Sequence, residues 1–151
     1  MIMEETKDKN KKVSGAGFVI LRVDSPPPCG KAPKMLALIT HGGIYDIPKG
    51  HIEEGETALE AAKRECFEEC SMLIPDKDLL FNSNGHVNGP LTTFCAKSSG
   101  TPTITVNPET LIMEHASCKW ITKQEFISNC YNYLKPAVNY FYSEYDNDYN
   151  P

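Results

Sequence analysis

Glu65, Glu68 and Glu69 lie close together within the segment PKGHIEEGETALEAAKRECFEEC, residues 48–70. On a helix their spacing is i, i+3 and i+4, so the carboxylates share one face and repel one another. The basic residues just before Glu65 offset this repulsion only in part, and divalent cations would relieve it more completely. Ligand sets of oxygen atoms suit Mg²⁺ or Mn²⁺, and magnesium held by few carboxylates keeps positions for water and phosphate oxygens.

The residues that lead into this segment add to the same chemistry. Gly50 permits a tight backbone path and could present its carbonyl oxygen to the same cation. Lys49 and His51 flank it as candidate donors to a polyphosphate. The alternative for the whole segment is a charged, solvent-exposed helix after a glycine turn, and single residues do not decide between the two.

A helix over residues 57–70 must position the three glutamates. Thr57 and Glu60 form a capping-box pattern, in which each side chain bonds the other residue's backbone amide. Leu59, Ala62 and Cys66 fall on one face and are expected to pack on a sheet.

The rest of the chain alternates between strand and helix patterns, which predicts an α/β fold with a mixed sheet. No repeat or long linker divides the sequence, so we expect a single domain over residues 13–145 between polar tails at 1–12 and 146–151. The predicted strands are 16–23, 35–40, 79–81, 91–96, a short one at 103–106, and 118–122; the further predicted helices are 124–134 and 137–145.

Composition excludes several classes of function. The chain has 151 residues, a net charge of −5 and a pI near 5.4, which argues against a broad grip on long nucleic acid. The six cysteines form no CxxC pair, and no apolar run is long enough to cross a bilayer. We therefore expect reduced thiols, a cytoplasmic location and a small anionic substrate; monomer and homodimer both stay open.

A spaced motif then links these observations. Gly50, Glu56, Arg64-Glu65 and Glu68-Glu69 stand in the order and spacing G-x5-E-x7-R-E-U-x-E-E-x-G-U, where U is a bulky apolar residue. This pattern resembles the Nudix box. Two positions depart from it: Cys66 replaces an aliphatic residue, and Ser71 replaces a glycine that normally ends the helix in a left-handed conformation.

The resemblance implies an α/β/α sandwich that hydrolyses a nucleoside diphosphate linked to another moiety, with Mg²⁺ or Mn²⁺ as cofactor. It implies that Glu65, Glu68 and Glu69 are metal ligands, assisted by the Gly50 carbonyl. It also implies that Arg64 orients Glu65 through its planar guanidinium and pairs with the box's first glutamate, Glu56.

Two further segments resemble one Nudix subfamily, the asymmetrical diadenosine tetraphosphate hydrolases. These are IPKGHIEEGE at the entry to the box and LIMEHASCKWI, residues 111–121. The second segment makes Glu114 a candidate general base or additional metal ligand, with Glu65 as the competing base. Tyr45 occupies the neighbourhood of a tryptophan of that subfamily, so it is either a base-stacking residue or a half-buried aromatic of a strand.

The substrate stays open among several linked diphosphates. Diadenosine tetra- and triphosphate are favoured by the subfamily resemblance, and ADP-ribose and FAD are the main alternatives. An RNA 5′ end is a lesser choice because no basic stripe is present. A non-catalytic nucleotide-binding module is disfavoured because such modules usually lose box carboxylates.

The aromatic residues after position 130 predict either a nucleobase platform, a dimer surface or an amphipathic helix that covers the sheet.

Overall fold

One mixed β-sheet lies at the centre of the computed structural model of the chain, which describes residues 14–22 and 32–149. Its central strand β1 pairs in parallel with β6 and antiparallel with β2 and β4. The path across the sheet is β3-β2-β1-β6-β5, with β4 beside β1 and β7 beside β2. The strands are β1 Gly15–Arg22, β2 Lys34–Ile39, β3 Tyr45–Asp46, β4 Lys49–His51, β5 His86–Asn88, β6 Leu91–Ser98 and β7 Ser117–Ile121.

Helices cover both faces of this sheet. They are α1 Ala58–Cys70, α2 Lys123–Asn129 and α3 Lys135–Tyr149. Phe18 and Ile20 of β1 belong to the apolar cluster that α1 completes, whereas Val19 and Leu21 belong to the cluster that α2 and α3 complete. Because β1 is buried on both faces, its sequence is a continuous apolar run. The predicted α/β/α sandwich with a mixed central sheet is confirmed.

The start of α1 follows the sequence prediction. Thr57 caps the helix by accepting from the Glu60 amide, and the Glu60 carboxylate accepts from the Thr57 amide at 2.8 Å. Ala62 and Cys66 are fully buried in the cluster below the helix, and Leu59 packs at its edge. The capping box, the buried face and the role of Cys66 as a small apolar residue are confirmed.

The end of α1 also matches the box pattern. Ser71 lies in the left-handed region at φ 60° and ψ 29°, and its amide donates to the Phe67 carbonyl at 2.9 Å. A serine therefore adopts the conformation for which glycine is normally used.

The predicted short strand at 103–106 is wrong, because its backbone bonds a helix end instead of a strand. The Thr103 amide donates to the Cys70 carbonyl at 2.9 Å, and the Thr105 amide donates to the Glu69 carbonyl at 3.2 Å. These carbonyls have no partner within α1, and the passing loop satisfies them.

Three other elements differ from the sequence prediction. The predicted strand at 79–81 is wrong: Leu79 makes a single bridge to Ala96, and Phe81 begins a 3₁₀ turn with φ 57°. The short strands β4 and β5 were not predicted, because three residues are too few for a hydrophobic pattern.

The C-terminal helical region is divided differently from the prediction. The predicted helix 124–134 is α2, which ends before the extended residue Cys130, and a separate 3₁₀ turn at Asn132–Leu134. The second predicted helix runs further than residue 145 because α3 continues through Tyr149. The predicted tail at 1–12 and Cys29 lie outside the described residues.

Candidate active site

The glutamates of α1 do not form an ordinary solvated face. Glu69 is 8% exposed, and the side chains of Glu65 and Glu68 are 15% and 36% exposed. They line a small cavity at the end of the sheet together with Thr105, Asn107, Glu114 and His115. The helix spacing therefore brings the predicted carboxylates together in a largely buried position.

Arg64 binds several of the surrounding acceptors with one guanidinium group. Its Nε and Nη2 atoms donate to the two carboxylate oxygens of Glu56 at 2.7 and 3.0 Å. Its Nη1 atom donates to Glu65 at 2.9 Å and to Glu68 at 3.3 Å, and Nη2 also donates to the His51 carbonyl at 2.9 Å. The pairing of Arg64 with Glu56 and its contact with Glu65 are the geometry that the resemblance implied.

Gly50 lies directly against the Glu65 carboxylate. An ideal Cβ atom added at Gly50 would stand 2.1 Å from the Glu65 Cδ atom. Gly50 pairs with Ala16 of β1, so the sheet fixes its backbone. A side chain at this position would therefore force the Glu65 carboxylate to move.

Glu69 is held by the backbone of β4. The Lys49 amide donates to the Glu69 Oε1 atom at 3.0 Å. Burial raises the pKa of Glu69 to about 9 despite this hydrogen bond, and the charges of Glu65 and Glu114 add to the rise. Burial also raises the pKa of Glu65, although Arg64 acts in the opposite direction.

This donor set fits a divalent cation. Four carboxylates line one small cavity, and burial disfavours the ionised form of Glu65 and Glu69 unless a positive charge lies nearby. Within the described ranges, no three histidine, cysteine or acidic side chains are arranged to hold an ion as they stand. Glu65 and Glu68 turn toward Arg64, and Glu69 turns toward the Lys49 amide. Glu65, Glu68, Glu69 and Glu114 are the side chains of this cavity that could hold such a cation.

Glu114 reaches the cavity from a loop and not from α1. Its carboxylate accepts from the Asn107 side-chain amide at 3.2 Å, and its side chain is exposed to solvent. Glu114 lies at least 45 residues after Glu65 and Glu69 in the sequence, yet the fold brings all three to the same cavity.

A wider cleft opens from this cavity. It has a volume of about 600 Å³, and its lining includes Lys49, Gly50 and His51. Tyr131 and Tyr133 also line it, with ring centroids 5.7 Å apart and an angle of 24° between the planes. Two of the aromatic residues after position 130 thus face the cleft, whereas Phe141, Tyr142 and Tyr145 are buried against the sheet.

Tyr45 does not reach this cleft. Its ring stacks on Phe126 at 6.2 Å, and its hydroxyl donates to Glu125 at 3.2 Å. Of the two interpretations of Tyr45, the structure therefore agrees with the half-buried aromatic of a strand. The prediction that Tyr45 stacks a base is corrected, because β3 directs the ring toward α2.

Asp46 and His115 are site residues that the sequence analysis did not single out. Asp46 is 4% exposed, and its Oδ2 atom lies 3.2 Å from Lys49 Nζ and 3.1 Å from His115 Nε2. Burial alone would lower the pKa of Lys49, but the Asp46 carboxylate and the Tyr133 hydroxyl outweigh it and raise that pKa. The only signal in the sequence is that each residue adjoins a predicted site residue, Tyr45 or Glu114.

Comparisons with known proteins place this chain in one class. The NUDIX domain family model matches residues 32–138, so the chain belongs to the Nudix family and its class is that of the Nudix pyrophosphohydrolases. Members of this class generally depend on a divalent metal and act on small nucleotide substrates. A search of curated protein sequences finds no significant match.

Solved structures agree with this class at the level of the fold. A C. elegans Ap4A hydrolase in a binary complex is similar with a TM-score of 0.68 and 21% identity, over 90% of this chain and 99% of the other. A Listeria monocytogenes Nudix hydrolase has a TM-score of 0.66 and 18% identity, over 91% and 97%. A MutT protein from Methanosarcina mazei has a TM-score of 0.57 and 14% identity, over 92% and 96%. Among the described residues, no helix is long and apolar enough to cross a membrane.

Proposed function

We propose that this chain hydrolyses dinucleoside polyphosphates, with diadenosine tetra- or triphosphate as the substrate class, by attack of water on a phosphorus atom. The observation that carries the proposal is that Lys49 contacts both the acidic cavity and the aromatic pair Tyr131 and Tyr133. Its amide holds Glu69 of the acidic cavity, and its ammonium lies 5.7 Å from the centre of the Tyr133 ring. A polyphosphate chain that ends in a nucleobase matches this order of groups.

The phosphate side of the proposal rests on basic and acidic groups that adjoin each other. Lys49 and His51 would bind phosphate oxygens as donors, and Arg64 would hold Glu65 in place. A Mg²⁺ or Mn²⁺ ion held by Glu65, Glu68, Glu69 and Glu114, with the Gly50 carbonyl as a further ligand, would polarise the phosphoryl group and activate water.

The proton of the attacking water needs an acceptor, and two residues remain candidates. Glu65 is favoured by its raised pKa, since a general base works best when its pKa lies near the operating pH. Glu114 is favoured by its exposed position on the rim, where it can reach a bound substrate. Both are retained as proposed catalytic residues, together with Glu68 and Arg64.

The base side of the proposal rests on Tyr131 and Tyr133. Their rings line the cleft and are stacked on each other, which leaves an aromatic surface of the kind on which bases stack. The Asn88 side-chain amide donates to the Tyr133 carbonyl at 3.0 Å and holds this segment against β5. The similarity to an Ap4A hydrolase supports the same substrate class, at the level of the fold.

Hydrolysis of ADP-ribose, FAD or another nucleoside diphosphate linked to a second moiety is the alternative. The same cavity and one aromatic platform would serve these substrates equally, since each carries a diphosphate and at least one base.

The five described cysteines are free thiols, and they support the proposal of a reducing, cytoplasm-like compartment.

A product assay separates the two substrate classes. The protein is incubated with Mg²⁺ and either diadenosine tetraphosphate or ADP-ribose, and the products are resolved by chromatography. We expect AMP plus ATP from the first substrate and little reaction with the second. Faster formation of AMP plus ribose 5-phosphate would reject the dinucleoside polyphosphate proposal and favour the alternative.

A further inference from the structure

Asp46 connects two parts of the cleft that are far apart in sequence. It ends β3, and its Oδ1 atom accepts from the Ile47 amide at 2.8 Å. Its Oδ2 atom lies within hydrogen-bond distance of Lys49 Nζ and of His115 Nε2, at 3.2 and 3.1 Å. An ionised carboxylate only accepts hydrogen bonds, so the His115 Nε2 atom beside it carries the proton.

His115 is the buried anchor of the loop that carries Glu114. The His115 residue is 6% exposed, whereas Glu114, directly before it, is exposed. Two outer contacts hold the same loop: the Ala116 amide donates to the Ile39 carbonyl at 2.7 Å, and His41 Nε2 lies 2.8 Å from the Met113 carbonyl. The backbone on either side of Glu114 is therefore held by the His115 side chain together with these two contacts.

We propose that Asp46 and His115 form a positioning pair that holds Glu114 at the rim of the acidic cavity, a proposal that rests on the proposed function of that cavity. Neither residue needs to touch the substrate in this role. The Lys49 ammonium donates to the same Asp46 Oδ2 atom. The pair therefore also connects the Glu114 loop to Lys49, which directly precedes the box.

The contribution of this pair to stability is expected to be smaller than its contribution to position. Buried polar partners lose hydration that their hydrogen bond only partly restores, and apolar residues of the same size often stabilise a fold as well. Residues that orient metal ligands or bases affect activity by about 10- to 100-fold when they are removed. An experiment on this pair therefore measures turnover together with the protection of the loop backbone.

Two variants at His115 test the pair. His115→Gln keeps an N–H group near the position of Nε2, whereas His115→Leu fills a similar volume without a donor. We expect His115→Leu to lower kcat by about 10- to 100-fold with KM changed by less than about threefold. His115→Gln is expected to restore most of kcat, and Glu125→Gln, which removes the exposed Lys119–Glu125 ion pair outside the cleft, leaves kcat unchanged.

A second readout does not depend on any substrate. Hydrogen exchange of the Ala116 amide, which bonds the Ile39 carbonyl, reports whether the loop is held. We expect faster exchange in His115→Leu than in His115→Gln. Equal exchange in the two variants overturns the positioning pair, whether or not a substrate is found, and so does an equal loss of kcat. Failure of the proposed function shows differently, as a wild-type protein that cleaves no linked diphosphate while the two variants still differ in exchange.

Discussion

Gly50 shows at the scale of one residue why a spaced sequence motif can require glycine. The Glu65 carboxylate fills the space that a side chain at position 50 would need. The pattern of the sequence identified the position, but the reason lies in the approach of β4 to α1, which only the folded structure shows.

Replacement of this glycine is expected to displace the Glu65 carboxylate. Because the sheet fixes the backbone of Gly50 and the added Cβ atom would overlap Glu65, the flexible side chain must move. We expect Gly50→Ala to lower turnover by about 100-fold, within the range that a 1 Å misplacement of a catalytic group can cause. Steady-state kinetics with Mg²⁺ measure this loss.

Gly42→Ala is the matched control for that variant. Its Cβ atom would meet only the Thr40 hydroxyl at 3.9 Å, an ordinary contact. Turnover should stay at the level of the parent protein. A Gly50→Ala protein with the same turnover as Gly42→Ala would contradict the contact between position 50 and Glu65 as a requirement of the site.

At the scale of single elements, α1 was the most predictable part of the chain. Its capping box and its buried face are both encoded within a few residues, so local sequence was sufficient for them. The site residues outside α1 were less predictable. Tyr131 and Tyr133 reach the cleft because α2 ends before Cys130, and that break depends on packing between distant segments.

Ser71 is expected to leave α1 less stable than glycine would. A residue with a Cβ atom at φ 60° is disfavoured, and glycine adopts this conformation without the clash. We expect Ser71→Gly to raise the free energy of unfolding by about 0.5–1 kcal/mol, which corresponds to a few degrees in Tm for a domain of this size. Thermal unfolding followed by circular dichroism measures the shift.

Ser143→Gly gives the opposite control, because Ser143 is an exposed residue within α3. Glycine inside a helix destabilises it by up to about 1 kcal/mol, so the Tm of this variant should fall. If Ser71→Gly also lowered the Tm, the left-handed conformation of Ser71 would not be the source of strain that we assign to it.

At the scale of the whole molecule, the sequence was enough to predict the sandwich but not the full cleft. The α/β alternation and the box defined the sheet, the helix and the class of chemistry. The meeting of Glu114, His115 and Asp46 depends on contacts across 69 residues, and no local pattern encodes them. Short elements such as β5 escaped because they carry too few residues for a hydrophobic period.

Four of the 20 acidic residues of this chain, whose net charge is −5, line one cavity. These carboxylates repel one another. In the described part of the chain, Arg64 is the one cationic side chain that forms ion pairs with Glu65 and Glu68. A divalent ion would complete the balance of charge and leave the cleft able to accept an anionic substrate.

The most direct test of the account compares Mg²⁺-dependent turnover of the parent protein with that of Glu68→Gln and Glu54→Gln. Glu68 lines the cavity, whereas Glu54 is an exposed carboxylate that does not line the cleft. Both changes remove one charge and preserve shape. We predict that Glu68→Gln loses about 100-fold or more of kcat with an unchanged fold, and that Glu54→Gln keeps the parent rate. Equal turnover in Glu68→Gln and the parent would contradict the assignment of this carboxylate cluster as the active site.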